Sequence, residues 1–476
     1  VLVDGSPRVS CVTPVSRVRG RSVTTVDGLD DADAWAAAFS ANGASQCGFC
    51  TPGIIVRLSA LDDDALADRA SVDKALLAHL CRCTGWQTIR EACVEVTGRR
   101  TGGEHAPREI DVVTGDGSSA MERASLEGHV AQDVGPHVAL GRGGFADDDA
   151  PSDALVALRD RAGAWVVAAS LADARRLAAR TQGRRTSAPA TWPIAVPDGP
   201  WNLRLQTTWV EPAFLEPDAS WCAPGGVPAS PLGNGGAFGG KLASELPDVA
   251  RRLADEHGRP VRALATREDT VCFGPKRPPL AVGVDGSGRG VARLARPDDP
   301  DHERVLCEAI GAVAPGVDVE FVDVAGPPVS ADLRGAGWAE IAAVVAVAVG
   351  SAEVASPDGA VARAEIATDG SVAVSVRCGP PLDATVVRSY AIGAAHMALG
   401  MVRSESIALA DDGWPLDLTI RSFGVLRAVD MPRIDVELES WGVDEPSVNG
   451  SDAVFAAVLA AAWRHAGSPT RLPVAR

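Results

Sequence analysis

Two close pairs of cysteines, Cys47-Gly-Phe-Cys50 and Cys81-Arg-Cys83, are the residues whose type and spacing point most directly to chemistry. Thirty residues separate the pairs, and the loop formers Gly48, Pro52, Gly53 and Gly85 flank them. Each pair therefore sits on a tight loop at a helix end, where four thiolates can converge on one centre. Two centres compete for such a donor set. Structural zinc usually takes two C-x2-4-C knuckles around one ion. A C-x-C pair instead suits a larger two-iron cluster held by four thiolates. Four unrelated core thiols would be the bland alternative, and the clustering argues against it.

Cys11 and Cys93 share the first hundred residues with these pairs, whereas Cys222, Cys272, Cys307 and Cys378 stand singly and read as small buried apolar groups. Ten cysteines in 476 residues, unevenly spaced, do not make a disulfide scaffold. With 46% hydrophobic and 22% charged residues the composition is that of a globular chain of about three domains. The net charge of −17 leaves no basic footprint for nucleic acid. Lysine occurs only as Lys74, Lys241 and Lys276. The longest apolar run, Ile341 to Val349, suits a buried strand or short core helix and is too short to span a membrane. No signal peptide is evident, so a cytoplasmic location is expected. The first residue is not Met and the chain opens in mid-strand, so an upstream segment is expected to be missing.

The elements that must position the cysteines follow from local pattern. Residues 1 to 28 alternate apolar and polar between Asp-Gly turns and read as two or three strands. Helices are expected from Asp30 to about Asn42, from Pro52 to about Leu61 with Thr51 as N-cap, from Ser71, and over TGWQTIREACVEVTG ending at Gly98. Residues 99 to 150, rich in Gly, Asp and charge, read as a linker with some ordered turns. Beyond it strands (164–169, 203–210, 261–266) alternate with helices (171–180, 247–257, 391–401, 452–466), with a hairpin over 361–376 around Asp369-Gly370. The expected class is α+β multidomain, with a mixed α/β region after the linker.

The runs Gln46-Cys-Gly-Phe-Cys-Thr-Pro-Gly53 and Leu80-Cys-Arg-Cys-Thr-Gly85 resemble the helical [2Fe–2S] domain of the molybdenum hydroxylases, the xanthine dehydrogenase and aldehyde oxidoreductase family. The resemblance covers about residues 1 to 97. It implies that Cys47, Cys50, Cys81 and Cys83 hold a [2Fe–2S] cluster and that Gln46 contacts a pterin. It also implies that residues 1–29 are the tail of a plant-ferredoxin-like β-grasp domain, in which Cys11 matches the final ligand of a second cluster. That cluster's other ligands would lie upstream, so Cys11 is either a ligand left stranded by truncation or a free thiol.

Three further patches are similar to the family's molybdenum region, which the resemblance assigns to residues 151–476 in shortened form, after a helical domain at 30–98. Gly235-Gly236-Ala237-Phe238-Gly239-Gly240-Lys241 is similar to a glycine-rich loop beside the metal, and Thr266-Arg-Glu-Asp269 and Gly274-Pro-Lys-Arg-Pro278 follow as in the family. Leu333-Arg334-Gly-Ala-Gly337 is similar to a motif whose arginine orients substrate. Trp441-Gly-Val-Asp-Glu445-Pro446 is similar to one whose glutamate is the general base. Departures accompany them: Pro212 stands where the family has a histidine, Leu242 where an acid is frequent, and Met397 where a glutamine is usual. Segments after Cys222 and from Val282 to Val324 are shorter than the family's.

The resemblance therefore implies a molybdopterin-dependent oxidoreductase subunit that hydroxylates an aldehyde or N-heterocycle with oxygen from water and passes electrons through the cluster. The cofactors implied are a [2Fe–2S] cluster and molybdenum–molybdopterin, with the cytosine dinucleotide form as one candidate. The partners implied are a small-molecule substrate and a flavin-containing or other electron-acceptor subunit, and a homo-oligomer is compatible with it. The competing reading is a non-catalytic [2Fe–2S] electron-transfer or assembly subunit.

Overall fold

The computed structural model describes residues 1–101, 117–179, 186–231, 236–440, 442 and 444–474. The N-terminal strands β1 (Leu2–Val3), β2 (Ser6–Pro7) and β3 (Val23–Thr24) form a small antiparallel sheet with β1 in the middle. Five helices follow, one more than the sequence pattern suggests: α1 (Ala32–Ala41), α2 (Thr51–Leu58), α3 (Asp63–Ala67), α4 (Arg69–Ala75) and α5 (Gln87–Thr101). The extra turn α3 exists because Asp62 accepts the Ala65 amide at 2.8 Å, and Asp68 starts α4 early by accepting that of Ser71 at 2.8 Å. The second helix is entered at Cys50 rather than Thr51. The last helix runs past Gly98 to Thr101.

Residues 99–150 are not a linker where they are described. They contain α6 (Ser118–Gly128) and α7 (Pro136–Ala139). Arg123 and Glu127 on α6 pair with each other and are wholly buried. An (i, i+4) ion pair with helix ends to bind lets charged residues enter a core that composition alone assigns to apolar ones. Residues 102–116 of the expected linker lie outside the described residues.

The second half alternates strands and helices: β4 (Leu155–Arg159), β5 (Trp165–Ala168), α8 (Leu171–Leu177), β6 (Leu203–Gln206), β7 (Ala219–Cys222), α9 (Leu246–His257), β8 (Val261–Leu264) and α10 (Arg267–Phe273). Then come β9 (Leu280–Val284), β10 (Gly290–Ala295), α11 (Pro300–Val313), β11 (Val317–Val322) and α12 (Trp338–Val349). The last elements are β12 (Glu353–Ala355), β13 (Val361–Ile366), β14 (Val372–Arg377), α13 (Ala384–Arg403), β15 (Ile434–Leu438) and α14 (Ser451–His465). They build three four-stranded mixed sheets, ordered β5-β4-β8-β7, β11-β10-β9-β6 and β12-β13-β14-β15. The Ile341–Val349 run is a helix, ended by Gly350 at φ 73°. Cys222, Cys272 and Cys378 are buried as expected, but Cys307 is exposed because it lies on the outer face of α11.

Helix α13 holds the halves together. Sixteen of its twenty residues are buried, and one continuous core joins Trp35, Phe39 and Ile89 of the cysteine domain to Ile392 of α13 and Phe455 of α14. Each buried side chain of that size stabilises by about 1.5–3 kcal/mol, so the boundary near residue 98 divides motifs rather than cores.

Candidate metal centre

Both cysteine loops are shaped by glycines in the left-handed region. Gly48 lies at φ 79°, and a Cβ there would come 2.5 Å from the Val138 carbonyl oxygen of α7. Gly85 lies at φ 59°, and a Cβ would come 2.7 Å from the Ile392 carbonyl oxygen of α13. Only glycine permits both the backbone shape and the approach. Cys50 then caps α2, while Cys81 and Cys83 project from the turn before α5.

The four sulfurs gather in a ring left open between Cys47 and Cys50. Cys47 Sγ and Cys83 Sγ are 3.6 Å apart, Cys83 and Cys50 hydrogen-bond to Cys81, and Thr84 Oγ1 lies 3.2 Å from Cys81 Sγ. Hydrogen bonds to neighbouring thiols and then burial push the Cys50 and Cys83 thiols up, while the bonds accepted from Cys50 and Cys83 hold Cys81 down. A bound cation would take the place of the shared protons. No three His, Cys, Asp or Glu side chains among the described residues converge on a single ion site. The sulfur contacts run instead as a string, Cys47 to Cys83 to Cys81 to Cys50, rather than around one central ion. Cys11 is exposed on the 3-10 turn Ser10–Val12 and is not brought to the ring. Cys93 is buried on α5, and burial pushes its thiol up to about 12.

Gln46 is buried between the ring and α13. Its Nε2 donates to the Cys83 carbonyl at 3.1 Å and to Ser389 Oγ at 2.9 Å, while Oε1 has no partner. An unpaired buried acceptor is costly, and a bound N–H donor would satisfy it.

The glycine-rich loop meets the ring directly. At Gly236, φ 84°, a Cβ would lie 3.1 Å from Cys83 Sγ and 3.2 Å from Cys47 Sγ. Ala237 and Phe238 are buried beside it, with Phe238 at φ 47°. Gly239 leaves no room for a Cβ against the Asp332 carbonyl, and Gly235 lies outside the described residues. Phe238 packs edge-on against Tyr390 at 6.0 Å and carries the Arg334 guanidinium on its face at 3.9 Å.

Arg334 is not a surface arginine. Its Nε donates to Asp452 at 3.0 Å, Nη2 to Ser451 Oγ at 2.8 Å and to the Glu127 carbonyl at 2.9 Å, and Nη1 lies 3.5 Å from Met397 Sδ. Every nitrogen of the guanidinium is thus engaged by protein. Burial alone would raise Asp452, but His129 and Arg334 outweigh it and hold the carboxyl at about 2. Glu445 lies on the exposed loop between β15 and α14 and does not join this buried group; Trp441 and Val443 of its motif lie outside the described residues.

The structure adds residues that the motifs do not mark. Arg82, between two ring cysteines, is buried and grips Glu405; its place inside the C-x-C pair was a usable signal. Tyr390 is the only tyrosine of the chain, buried between the ring and Arg334, with its hydroxyl pushed well up by burial and then by the Cys83 charge. The Glu127 carboxylate accepts the amides of Gly450 and Ser451 at 3.1 and 2.8 Å, capping α14 from a distant helix. No local pattern announces that contact.

Residues 25–94 match the family model described as a [2Fe-2S] binding domain. A probable xanthine dehydrogenase subunit of Bacillus subtilis is 35% identical over 107 residues, which are 22% of this chain and 61% of that protein. The nicotine 6-hydroxylase small subunit of Paenarthrobacter nicotinovorans is 38% identical over 102 residues, 21% of this chain and 62% of that one. The chain therefore spans less than two thirds of these relatives' length. Aldehyde oxidoreductase from Desulfovibrio gigas has the same fold, with TM-score 0.67 at 12% identity over 99% of this chain and 93% of that one. The enzyme from Desulfovibrio desulfuricans gives 0.68 at 14% identity over the same shares. Residues 25–94 are thus a [2Fe-2S] binding domain by sequence, and the chain as a whole shares the fold of these two aldehyde oxidoreductases.

Proposed function

We propose that the chain carries electrons through a [2Fe–2S] cluster on Cys47, Cys50, Cys81 and Cys83 within a molybdenum hydroxylase assembly. The observation that carries this reading is the cluster of four thiols, with Cys47 and Cys83 at 3.6 Å and the Gly236 backbone against both sulfurs. When bound, the cluster supplies one-electron storage. The chain's own residues bury three of the ligands, leave Cys50 partly buried, and tie the loops to α13 through Gln46 and to the segment after it through Arg82. Protein purified anaerobically should contain about two iron and two sulfide per chain. Zinc in place of iron would overturn the proposal.

A second reading, hydroxylation of an aldehyde or N-heterocycle at a molybdenum–molybdopterin centre, is favoured by the unpaired Gln46 Oε1 beside the ring. That atom suits a pterin N–H. In this reading Ala237 and Gly239 present backbone groups to the cofactor, Arg334 orients substrate and Glu445 is the general base. The electron acceptor would be a flavin-containing or other partner subunit. Molybdenum and pterin analysis tests the cofactor, and Glu445→Gln tests the base. Loss of turnover with unchanged metal content is expected, and retained turnover would remove Glu445 from the mechanism. The arrangement of Arg334, with every nitrogen bound to protein, and the distant exposed Glu445 is what favours electron transfer as the first reading.

A further inference from the structure

Thr84 directly follows the second cysteine pair and is buried, with Cys81 on one side of its hydroxyl and Trp86 on the other. Its Oγ1 lies 3.2 Å from Cys81 Sγ and accepts the Trp86 amide at 3.4 Å. A hydroxyl carries one proton and two lone pairs. The Trp86 amide takes up a lone pair, so the proton is left for the sulfur. Among the described residues the Thr84 hydroxyl makes no other hydrogen bond. The Thr84 amide donates to the same sulfur.

Two nearby threonines differ in the one respect that matters. Thr51 also bonds its neighbouring cysteine, Cys50, but Ser45 Oγ at 3.0 Å offers its proton a second acceptor. Thr88, in the first turn of α5, is wholly buried and its Oγ1 has no hydrogen-bond partner. Only at Thr84 does the geometry leave a hydroxyl proton with a single destination, a cysteine of the ring.

A hydrogen bond to an ionised acceptor is roughly twice as strong as one between neutral groups, and burial strengthens it further because water does not compete. One-electron reduction adds a negative charge to an iron–sulfur cluster, part of it on the ligand sulfurs. Donors aimed at those sulfurs therefore favour the reduced form.

We propose that Thr84 is a positioning residue for the cluster: its hydroxyl proton, directed onto Cys81 Sγ by the Trp86 amide, raises the reduction potential. The inference rests on the reading of Cys47, Cys50, Cys81 and Cys83 as cluster ligands. Reduction brings in one electron from an external reductant, the proton stays on Thr84 Oγ1, and no bond is made or broken.

The test is a dithionite titration of the full chain with redox mediators, followed by the visible spectrum and by electron paramagnetic resonance. Thr84→Val keeps the side-chain shape and the main-chain amide and removes the hydroxyl. It should lower the equilibrium constant for one-electron reduction about tenfold, read as a midpoint lower by about 59 mV. Thr84→Ser restores a hydroxyl and should match the parent. Thr88→Val, the same change at an unbonded hydroxyl, should match it as well. A Thr84→Val midpoint equal to the parent's, with the cluster spectrum intact, would overturn the inference alone. So would a Thr84→Ser midpoint as low as that of Thr84→Val, or an equal shift in Thr88→Val. Loss of the cluster in Thr84→Val would make the hydroxyl a support of the turn, and would overturn the inference too. A parent chain without the cluster spectrum would overturn the cluster reading beneath it.

Discussion

Arg82 and Glu405 form a two-pronged ion pair inside the protein, with Nη1 to Oε1 at 2.6 Å and Nη2 to Oε2 at 2.8 Å. Arg82 Nε adds a bond to the Pro212 carbonyl at 2.9 Å, and both side chains are nearly inaccessible, at 3% and 2%. Because Arg82 lies between Cys81 and Cys83, this pair fixes the C-x-C turn to the segment after α13. Burying two charges is costly, and removing one leaves the other unpaired in a region of low polarity. Glu405→Gln should therefore lower unfolding stability by about 3–5 kcal/mol in urea titration, and replacing both residues by apolar ones should cost much less. A single substitution as mild as the double one would show that the pair contributes little.

The ring and the isolated cysteines should respond differently to substitution. Cys81→Ser or Cys83→Ser should remove most of the bound iron and the visible absorption. Cys93→Ala, on α5 and outside the ring, should retain both at a cost of about 1 kcal/mol in stability. Iron analysis on the purified variants separates these outcomes.

Gly236→Ala should disturb the centre through contact, beyond backbone strain. An alanine at φ 84° costs roughly 1–2 kcal/mol, and its Cβ would press on two sulfurs at 3.1 and 3.2 Å. Gly225→Ala is the control: φ is 64° there and no atom lies within 4 Å. A changed electron paramagnetic resonance spectrum or reduced iron content is expected for Gly236→Ala only. Identical spectra in both variants would separate the loop from the centre.

The Asp452 carboxyl, held at about 2 against an ordinary value of 3.8, contributes about 2 kcal/mol that is present above pH 4 and lost as pH falls towards 2. Burial would lower His129, but the Asp452 charge outweighs it and raises the imidazole above 6.5. Its contribution is therefore present below that value and lost as pH rises through the raised one. Melting temperatures of Asp452→Asn and the parent should differ most between pH 4 and 6.5 and converge towards pH 2. A difference that stays constant over this range would exclude the pair as the cause.

The legible parts of the sequence are those governed by short spacing. The two cysteine pairs, the Asp369-Gly370 hairpin and the strand around 164–169 each express a rule that operates over a short stretch of chain. Residues 118–128 show the opposite case. Their charge and glycine content suggest a linker, yet Arg123 and Glu127 are buried as a pair, and Glu127 accepts the amides of Gly450 and Ser451 from the far end of the chain. Arg334 was recognisable as a motif, but its complete engagement by Asp452, Ser451, Glu127 and Met397 depends on separate segments of the chain.

By itself the sequence marked the two cysteine pairs as candidate metal ligands, because thiolate chemistry and tight turns are properties of neighbouring residues. It also indicated helices close to α1, α2 and α5, while α3 and the early start of α4 were missed. Only the tertiary structure decided that the glycine-rich loop rests on the cysteine sulfurs, that Arg82 is clamped by Glu405, and that Glu445 stays outside the buried group. Those relationships join residues up to hundreds of positions apart. They exist because one core, which α13 runs through, draws the partners of the charges it buries from separate segments of the chain.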